Sequence, residues 1–445
     1  MIKNKKKLIL IATITTIIIL LMLLIYSLNN TTSNKEIKDL TQNLFEDIQS
    51  ELVNVNKYIV YGTHLNINGR LDTNLIGSNI SEFKIVLKNI EGVEIPFVIN
   101  YTIDEKGILF STSDEINGGI DLEEIIEGKF YILLKVVTSL DDVLSSKYYL
   151  LNNQTAYENI EYYTITKNSN NKINISSDKY LLNGILVSYM KLEVSGSKLP
   201  NNIYDIVIDP GHGGNDCGAV KGDYTEAEIV LEYSLDLKEK LEALGLKVKL
   251  VRDEDEYIDV YGEEGRGVIP NQVKAKYVFS IHLNSSSYIM NTGGVEIYSP
   301  PNSNLNFSKL IADNIVNIAK TTYSPNNLYK IQDGVYVRNF IEEEIIEAKD
   351  YASQSGYKAY NITTSTPYMF MIRETGGIAT NAYIDGRNTE YGANKYYNSN
   401  IGVEGYLLEL GFMNCSTDLK NILNNKKLYV NAISTSIQEY LKITN

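Results

Sequence analysis

Three short apolar runs in this chain each end on a side chain able to bind a metal or move a proton, and that arrangement constrains the fold more than any other feature. Ile206 to Glu226, IVIDPGHGGNDCGAVKGDYTE, sets an apolar strand, a Gly-rich loop with His212 and a helix start in one continuous stretch. A strand ending in such a loop delivers side chains to the carboxyl edge of a sheet, where open α/β folds build their sites. Tyr277 to Asn284, YVFSIHLN, runs into His282, and Gly405 to Phe412, GYLLELGF, carries Glu409. The chain has three histidines, and two of them stand at these strand ends.

Two histidines with a carboxylate make the open zinc site that activates water in hydrolases. The same residues, scattered unlike an HExxH motif, also read as hydrogen-bonded packing. Thr225 to Glu228, TEAE, is a capping box in which Thr225 caps the helix and Glu228, at the third helical position, reaches back. Glu226, at the first helical position, has no capping duty and is the free carboxylate. Complementing the helix dipole is its rival role.

IVIDPGHGG, then a Glu opening the next helix, then FSIHLNSS followed by GGVEIY, then LLELGFMN, in that order over about 240 residues, resemble the zinc-dependent N-acetylmuramoyl-L-alanine amidases of the amidase_3 type. The resemblance implies Zn2+ held by His212, Glu226 and His282, Glu409 as catalytic base, and peptidoglycan as substrate, cut between the lactyl group of N-acetylmuramic acid and L-alanine. Arg266 and Asn271 in RGVIPNQ and Arg373 in MFMIRET match family positions and are expected to support the site. Two other functions stand beside this one. A zinc-bearing but inactive module would bind wall or activate another hydrolase, although a pure binder needs no base such as Glu409. A zinc carboxypeptidase acting on the stem peptide would need a cationic clamp, for which Arg373 and Arg387 are the candidates.

The N-terminus adds a membrane expectation. Residues 1–7 form a basic tail, and Lys3, Lys5, Lys6 and Lys7 precede Leu8 to Leu28, 21 residues without a charge. That is enough to cross a bilayer as a helix, with the lysines kept in the cytoplasm. The run exceeds a signal-peptide core and LIYSLNNTTS lacks a small-x-small cleavage site, so an uncleaved single-pass anchor in the cell membrane is expected, with the rest of the chain facing the cell wall. Without those lysines, 37 basic stand against 55 acidic residues, a net charge near −18 that argues against nucleic-acid partners.

Residues 29–57 read as a linker with an amphipathic helix, Lys35 to Val53, whose apolar stripe includes Ile37, Leu40, Leu44, Ile48 and Leu52. Packing on the next domain is its plain role, and self-association in the membrane plane the rival. Residues 58–194 change to short alternating runs separated by Asn, Gly, Asp and Ser, a β-sandwich-like signature. This region holds His64, read as structural, and no catalytic cluster; a spacer or protein-partner-binding role is expected. SGSKLPNN, 195–202, is the linker to the catalytic region, 203–445.

Alternating strands and helices there predict an α/β domain with a mostly parallel sheet and helices on both faces. An insert at about 322–402 has two parts. Asn339 to Ser353 reads as an acidic helix with Ile341, Ile345, Ile346 and Ala348 inward, and Gly376 to Gly402 as a Tyr-, Asn- and Gly-rich loop carrying Tyr391, Tyr396 and Tyr397. The helix is read as a solvated face. Covering of the zinc cleft by Glu342, Glu343, Glu344 or Glu347, as in some relatives of the family, is the rival. The loop is read as a lid or specificity surface. Cys217 and Cys415 are expected to be unpaired, with a disulfide or a thiolate ligand as alternatives.

Overall fold

The computed structural model describes residues 48–443 apart from 50–52, 73–78, 114–117, 141–142, 153–158, 167, 169, 183, 261, 263, 287–292, 302, 357–360 and 381–393. The anchor expected at Leu8 to Leu28 and most of the amphipathic helix lie outside the described residues. Among the described residues no helix is long and apolar enough to cross a membrane.

The helix expected to continue to Val53 does not reach that far. Ile48 forms an isolated bridge with Tyr148, and Val53–Tyr61 is a strand. VNVNKYIVY alternates β-branched with polar residues, and burying Val53 and Val55 on a pleated face outcompetes the helical period. From Val53 to Gly196 the region is β-rich and mostly antiparallel, as expected. A sandwich of two separate sheets is not what forms, however, because the hydrogen bonding joins all 12 strands of this region into one sheet, to which Ile401–Gly402 from further along the chain adds a thirteenth. Gly128–Leu140 pairs at its start with Ile185–Gly196 and over its later part with Val143–Asn152, which in turn meets Val53–Tyr61 at Leu151 and Asn152. A strand 13 residues long twists enough for its two ends to face different neighbours. The sheet therefore wraps one core that includes Ile67, Ile85, Phe130, Leu134, Leu151 and Leu192.

The catalytic region forms a seven-stranded sheet. Val248–Leu250, Ile206–Pro210, Tyr277–Asn284 and Glu404–Phe412 run parallel and adjacent in that order, and Glu296–Tyr298 closes antiparallel on the last. Helices Glu226–Ala243, Leu305–Ala319 and Lys426–Tyr440 bury Val230, Leu237, Ile311 and Ile433 against one face, where Ile206, Ile208 and Phe279 point. On the other face Val207, Val278 and Val403 meet Met371 of the short helix Phe370–Thr375. The alternation of Ile206, Val207 and Ile208 between the two cores is the period of 2 of a sheet covered on both sides. The insert helix spans Glu342–Ser355, and its inward face differs from expectation. Ile345 is buried, with Ala352 one further heptad along, whereas Ile341 and Ile346 are exposed.

The two regions are docked directly. Thr166 donates its N–H and its Oγ1 proton to Asp205 at 3.1 and 2.7 Å. Thr63 Oγ1 lies 2.9 Å from Tyr277 Oη, and Asn168 Nδ2 donates to the Leu441 carbonyl at 3.2 Å. Strand Ile401–Gly402, from the insert, pairs parallel with Val53–Tyr61. Two carboxyls sit in or beside this interface, Glu123 and Glu404, and burial pushes each up to about 7 against hydrogen bonds from Tyr162 and Tyr406 respectively. Between 4.5 and about 7 the native state therefore holds protons that the unfolded chain has lost, so their contribution to stability falls as pH rises through that window. Glu404→Gln should gain thermal stability on the wild type between pH 5 and pH 8, by up to about 3 kcal/mol. Parallel melting-temperature profiles for the two proteins would refute this.

Candidate active site

Gly211 to Gly218 folds as a tight loop at the carboxyl end of Ile206–Pro210, and its glycines are required by close approach. A Cβ on Gly211 would lie 2.4 Å from the His282 ring, and one on Gly218, at φ +64°, 2.6 Å from the His212 ring and 2.7 Å from Glu226 Oε2. His212 itself is left-handed at φ 60°. Two buried arginines hold the loop by its carbonyls. Arg266 donates to Asp209 and Pro210 at 2.8 Å each and to the His212 carbonyl. Arg252 donates to Pro210, Gly211 and Ala227 at 3.1, 2.8 and 2.8 Å.

Helix Glu226–Ala243 begins as the sequence dictates. Thr225 Oγ1 accepts from the Glu228 N–H at 3.3 Å and donates to the Glu228 carboxylate at 2.8 Å. Glu226, free of the cap, turns its buried carboxylate into the site. Its Oε1 lies 3.2 Å from His212 Nε2 and 3.0 Å from His282 Nδ1 and accepts the Leu283 N–H at 2.9 Å; its Oε2 accepts the Ala219 N–H at 3.0 Å. His212, Glu226 and His282 each present one donor atom, all within 4.8 Å of one another. His212 Nδ1 is 2.9 Å from Asp216 Oδ2, which fixes the ring and leaves Nε2 for the site.

Burial opposes charge on both partners, yet their mutual attraction wins. It would raise Glu226, but hydrogen bonds and charge from His212 and His282 hold the carboxylate far below its usual range. It would lower His212, but hydrogen bonds and charge from Glu226 and Asp216 raise it. Two imidazoles and a carboxylate converging on one point, with His212 and Glu226 each oriented by a further hydrogen bond, are the donor set of a zinc site with room for a further ligand, so the residues present fit the metal.

Glu409 stands beside them. The strands Tyr277–Asn284 and Glu404–Phe412 are parallel neighbours, and His282 is the register partner of Glu409. Its Oε2 is buried and has no hydrogen-bond partner among the described residues. Burial first, then the charges of Glu226 and Glu296, push its pKa well above the ordinary carboxyl value. Glu296, which sequence reasoning passed over within GGVEIY, is the antiparallel partner of Glu409. It accepts from Asn284 Nδ2, Tyr298 Oη, Ser324 Oγ and Asn326 Nδ2 at 3.1, 2.9, 2.7 and 3.3 Å, so both of its buried oxygens are satisfied. An ionisable residue inside an otherwise apolar strand was the available signal. Asp216 and Arg252 were likewise not singled out.

The remaining candidates fall away from the ligand cluster. Asn271 donates to the Thr375 carbonyl at 3.3 Å. Arg373 is buried, bonded to Pro367 and Tyr368 carbonyls and to Glu374, so it does not offer a clamp for a substrate carboxylate. Arg387 and Tyr391 lie outside the described residues, and Tyr396 and Tyr397 are half-buried. Glu344 pairs with Arg338 at 2.7 Å and caps its own helix through the Ile341 N–H, and no insert glutamate joins the ligand cluster among the described residues. Cys217 is exposed and Cys415 buried, both free. His64 lines a cavity of about 490 Å³ between the two regions, well apart from the cluster, with its Nδ1 3.2 Å from Thr63 Oγ1.

Comparison with known proteins gives this geometry its relatives. Residues 206–439 match the model of the Amidase_3 family, described as N-acetylmuramoyl-L-alanine amidase. The chain is 36% identical over 100 residues to N-acetylmuramoyl-L-alanine amidase AmiC of Neisseria meningitidis, covering 20% of this chain and 23% of that protein. It is 28% identical over 178 residues to the sporulation-specific N-acetylmuramoyl-L-alanine amidase of Bacillus subtilis, covering 39% and 56% respectively. The alignments thus span less than two thirds of these relatives' own lengths. A solved N-acetylmuramoyl-L-alanine amidase from Clostridium difficile 630 aligns over 55% of this chain and 100% of its own, at 19% identity and a TM-score of 0.36. The family match extends over more than half of the 445 residues and contains His212, Glu226, His282 and Glu409, and on that ground the chain belongs to the Amidase_3 family.

Proposed function

We propose that the chain is a zinc-dependent peptidoglycan hydrolase that cuts the amide between the lactyl group of N-acetylmuramic acid and the L-alanine of the stem peptide. The observation that carries this reading is the convergence of His212, Glu226 and His282 beside Glu409 on the adjacent strand. A zinc ion held by the three ligands would polarise the scissile carbonyl and bring the pKa of the attacking water toward 7. Glu409 takes the proton from water as it attacks and returns it to the departing amine. A raised proton affinity suits both halves, since the ionised carboxylate is then a stronger base and the acid form persists long enough to donate. Glu226 stays oriented by Leu283 and Ala219 and His212 by Asp216, so these two side chains are held before substrate arrives. No nucleophilic side chain is needed.

The carboxypeptidase reading loses Arg373 as its clamp, since that guanidinium is already bonded to backbone and Glu374. The inactive-module reading leaves the buried Oε2 of Glu409, unpartnered among the described residues, without a purpose. Digestion of purified peptidoglycan followed by mass spectrometry tests the choice: stem peptides beginning with L-alanine are expected, and release of single D-alanine would sink the amidase. The expected anchor at residues 8–28 would hold the enzyme at the membrane face of the wall. Recovery of protein lacking residues 1–28 free in the medium would contradict that placement.

A further inference from the structure

We propose that the tip of the first β-rich strand, Tyr61, Gly62 and Thr63, is a positioning element for hydrolysis, because it seats the starts of the two catalytic strands whose ends carry His282 and Glu409. The proposal rests on the assignment of Glu409 as the base. Val60 and Tyr61 pair in parallel with Ile401 and Gly402. The Val60 N–H donates to Asn400 at 2.9 Å and the Gly62 N–H to Gly402 at 3.2 Å, just before the Glu404–Phe412 strand begins. Thr63, buried, places its hydroxyl 2.9 Å from that of Tyr277, the first residue of the His282 strand. Gly62 lies between the two contacts at φ +59°, where an added Cβ would come within 2.4 Å of Glu404 Oε2 and 3.3 Å of the Tyr277 ring.

Tyr277 and Glu404 are themselves register partners, and the same ladder runs without a bulge from that rung to His282 and Glu409. Five residues of strand separate the two rungs, roughly 16 Å at about 3.3 Å per residue. A regular pair of buried strands is stiff along its axis, so a shift imposed at Tyr277 and Glu404 moves the ligand and the base at the far end. The same strand holds the start of the insert: Lys57 Nζ donates to the Ile378 carbonyl at 3.1 Å, and Ile59 and Tyr61 pack with Ala379. The β-rich region thus reaches the chemistry through the sheet, on the edge opposite the metal ligands, and without touching substrate.

The test compares full-length Gly62→Ala with Gly62→Ala/Glu404→Ala. In the single variant the new methyl presses on Glu404 Oε2; in the double variant that contact is gone, while Glu404 Cβ at 3.2 Å, the Tyr277 ring at 3.3 Å and the left-handed φ of residue 62 remain. Gly62→Ala is expected to keep its zinc and its KM and to lose kcat ten- to a hundredfold, the scale of an ångström-level misplacement. It should also show faster amide hydrogen exchange across Glu404 to Leu410, and the double variant, relieved of the closest contact alone, should recover part of the kcat. Should Gly62→Ala not fold, Thr63→Val and Tyr277→Phe each break the hydroxyl pair, Thr63→Val also losing the 3.2 Å contact with His64 Nδ1. Each should lower kcat a few-fold, and the two combined no further than either alone. Unchanged kcat and exchange, or a kcat loss that tracks zinc loss and is not rescued, would overturn the proposal. A wild type without amidase activity would instead overturn the assignment of the reaction, and the exchange comparison would still report whether the tip holds the strands.

Discussion

Glu409→Gln is expected to bind zinc as the wild type does and to hydrolyse peptidoglycan about 10²–10⁴ times more slowly, the usual cost of losing a general base. The substitution preserves shape and removes charge. Glu409 is the register partner of both His282 and Glu296, so its backbone is fixed by the strand on either side of it, and its Oε2 has no hydrogen-bond partner among the described residues. Burial and the charges of Glu226 and Glu296 disfavour its ionised form, and an amide in its place relieves that repulsion. Thermal stability should accordingly hold or rise in the variant. That combination of intact metal, equal or greater stability and collapsed turnover distinguishes a base from a structural carboxylate. Zinc content by mass spectrometry, a melting curve and a turnover assay on the same preparation decide it, and near-native turnover would withdraw the role assigned to Glu409.

The residues at the ends of strands were readable because their signals are local. IVIDPGHGG couples an apolar run to glycines that only a tight loop requires, and the structure uses Gly211 and Gly218 for close approach to the histidine rings. Capping chemistry agreed with the family resemblance in singling out Glu226 over Glu228, and the bonds of Thr225 to Glu228 show the cap it expected. What escaped depends on pairings that join distant parts of the chain. Glu296 matters because an antiparallel strand brings it opposite Glu409, and the docking of Thr63 on Tyr277 joins positions 214 residues apart. No periodicity records such a meeting. The insert helix shows the opposite failure: Ile341, Ile345 and Ile346 satisfied an inward-facing pattern, but the helix packs along one narrow line through Ile345 and Ala352 and leaves the other isoleucines in water. The continuous 13-stranded sheet was missed for a related reason, since alternation identifies strands without saying whether one long strand will serve two neighbours.

His212→Ala should lose metal and activity together, in contrast to the base variant. The three donors lie within 4.8 Å of one another, and removing His212 leaves Glu226 and His282, too few to hold zinc in a structured site. It also strips Glu226 of one of the two imidazoles that hold its carboxylate charged in a buried place, so the metal-free variant should tolerate acid less well than the metal-free wild type. The sign follows from the depressed pKa of Glu226. That stabilisation is complete above the ordinary carboxyl range near 4.5 and disappears as pH falls toward the folded-state value, so a weaker depression ends it at a higher pH. A graded variant separates the ligand from its support. Asp216→Asn keeps every zinc-binding atom and weakens only the 2.9 Å contact that orients His212. Its zinc affinity should fall about 10–100-fold, and its turnover should return when zinc is in excess. Competition with a chelator of known affinity measures the first quantity, and a zinc titration of turnover the second. If His212→Ala retained zinc at wild-type affinity, the metal would have to sit elsewhere, and the convergence of His212, Glu226 and His282 would be ordinary hydrogen-bonded packing at the end of two strands and a helix.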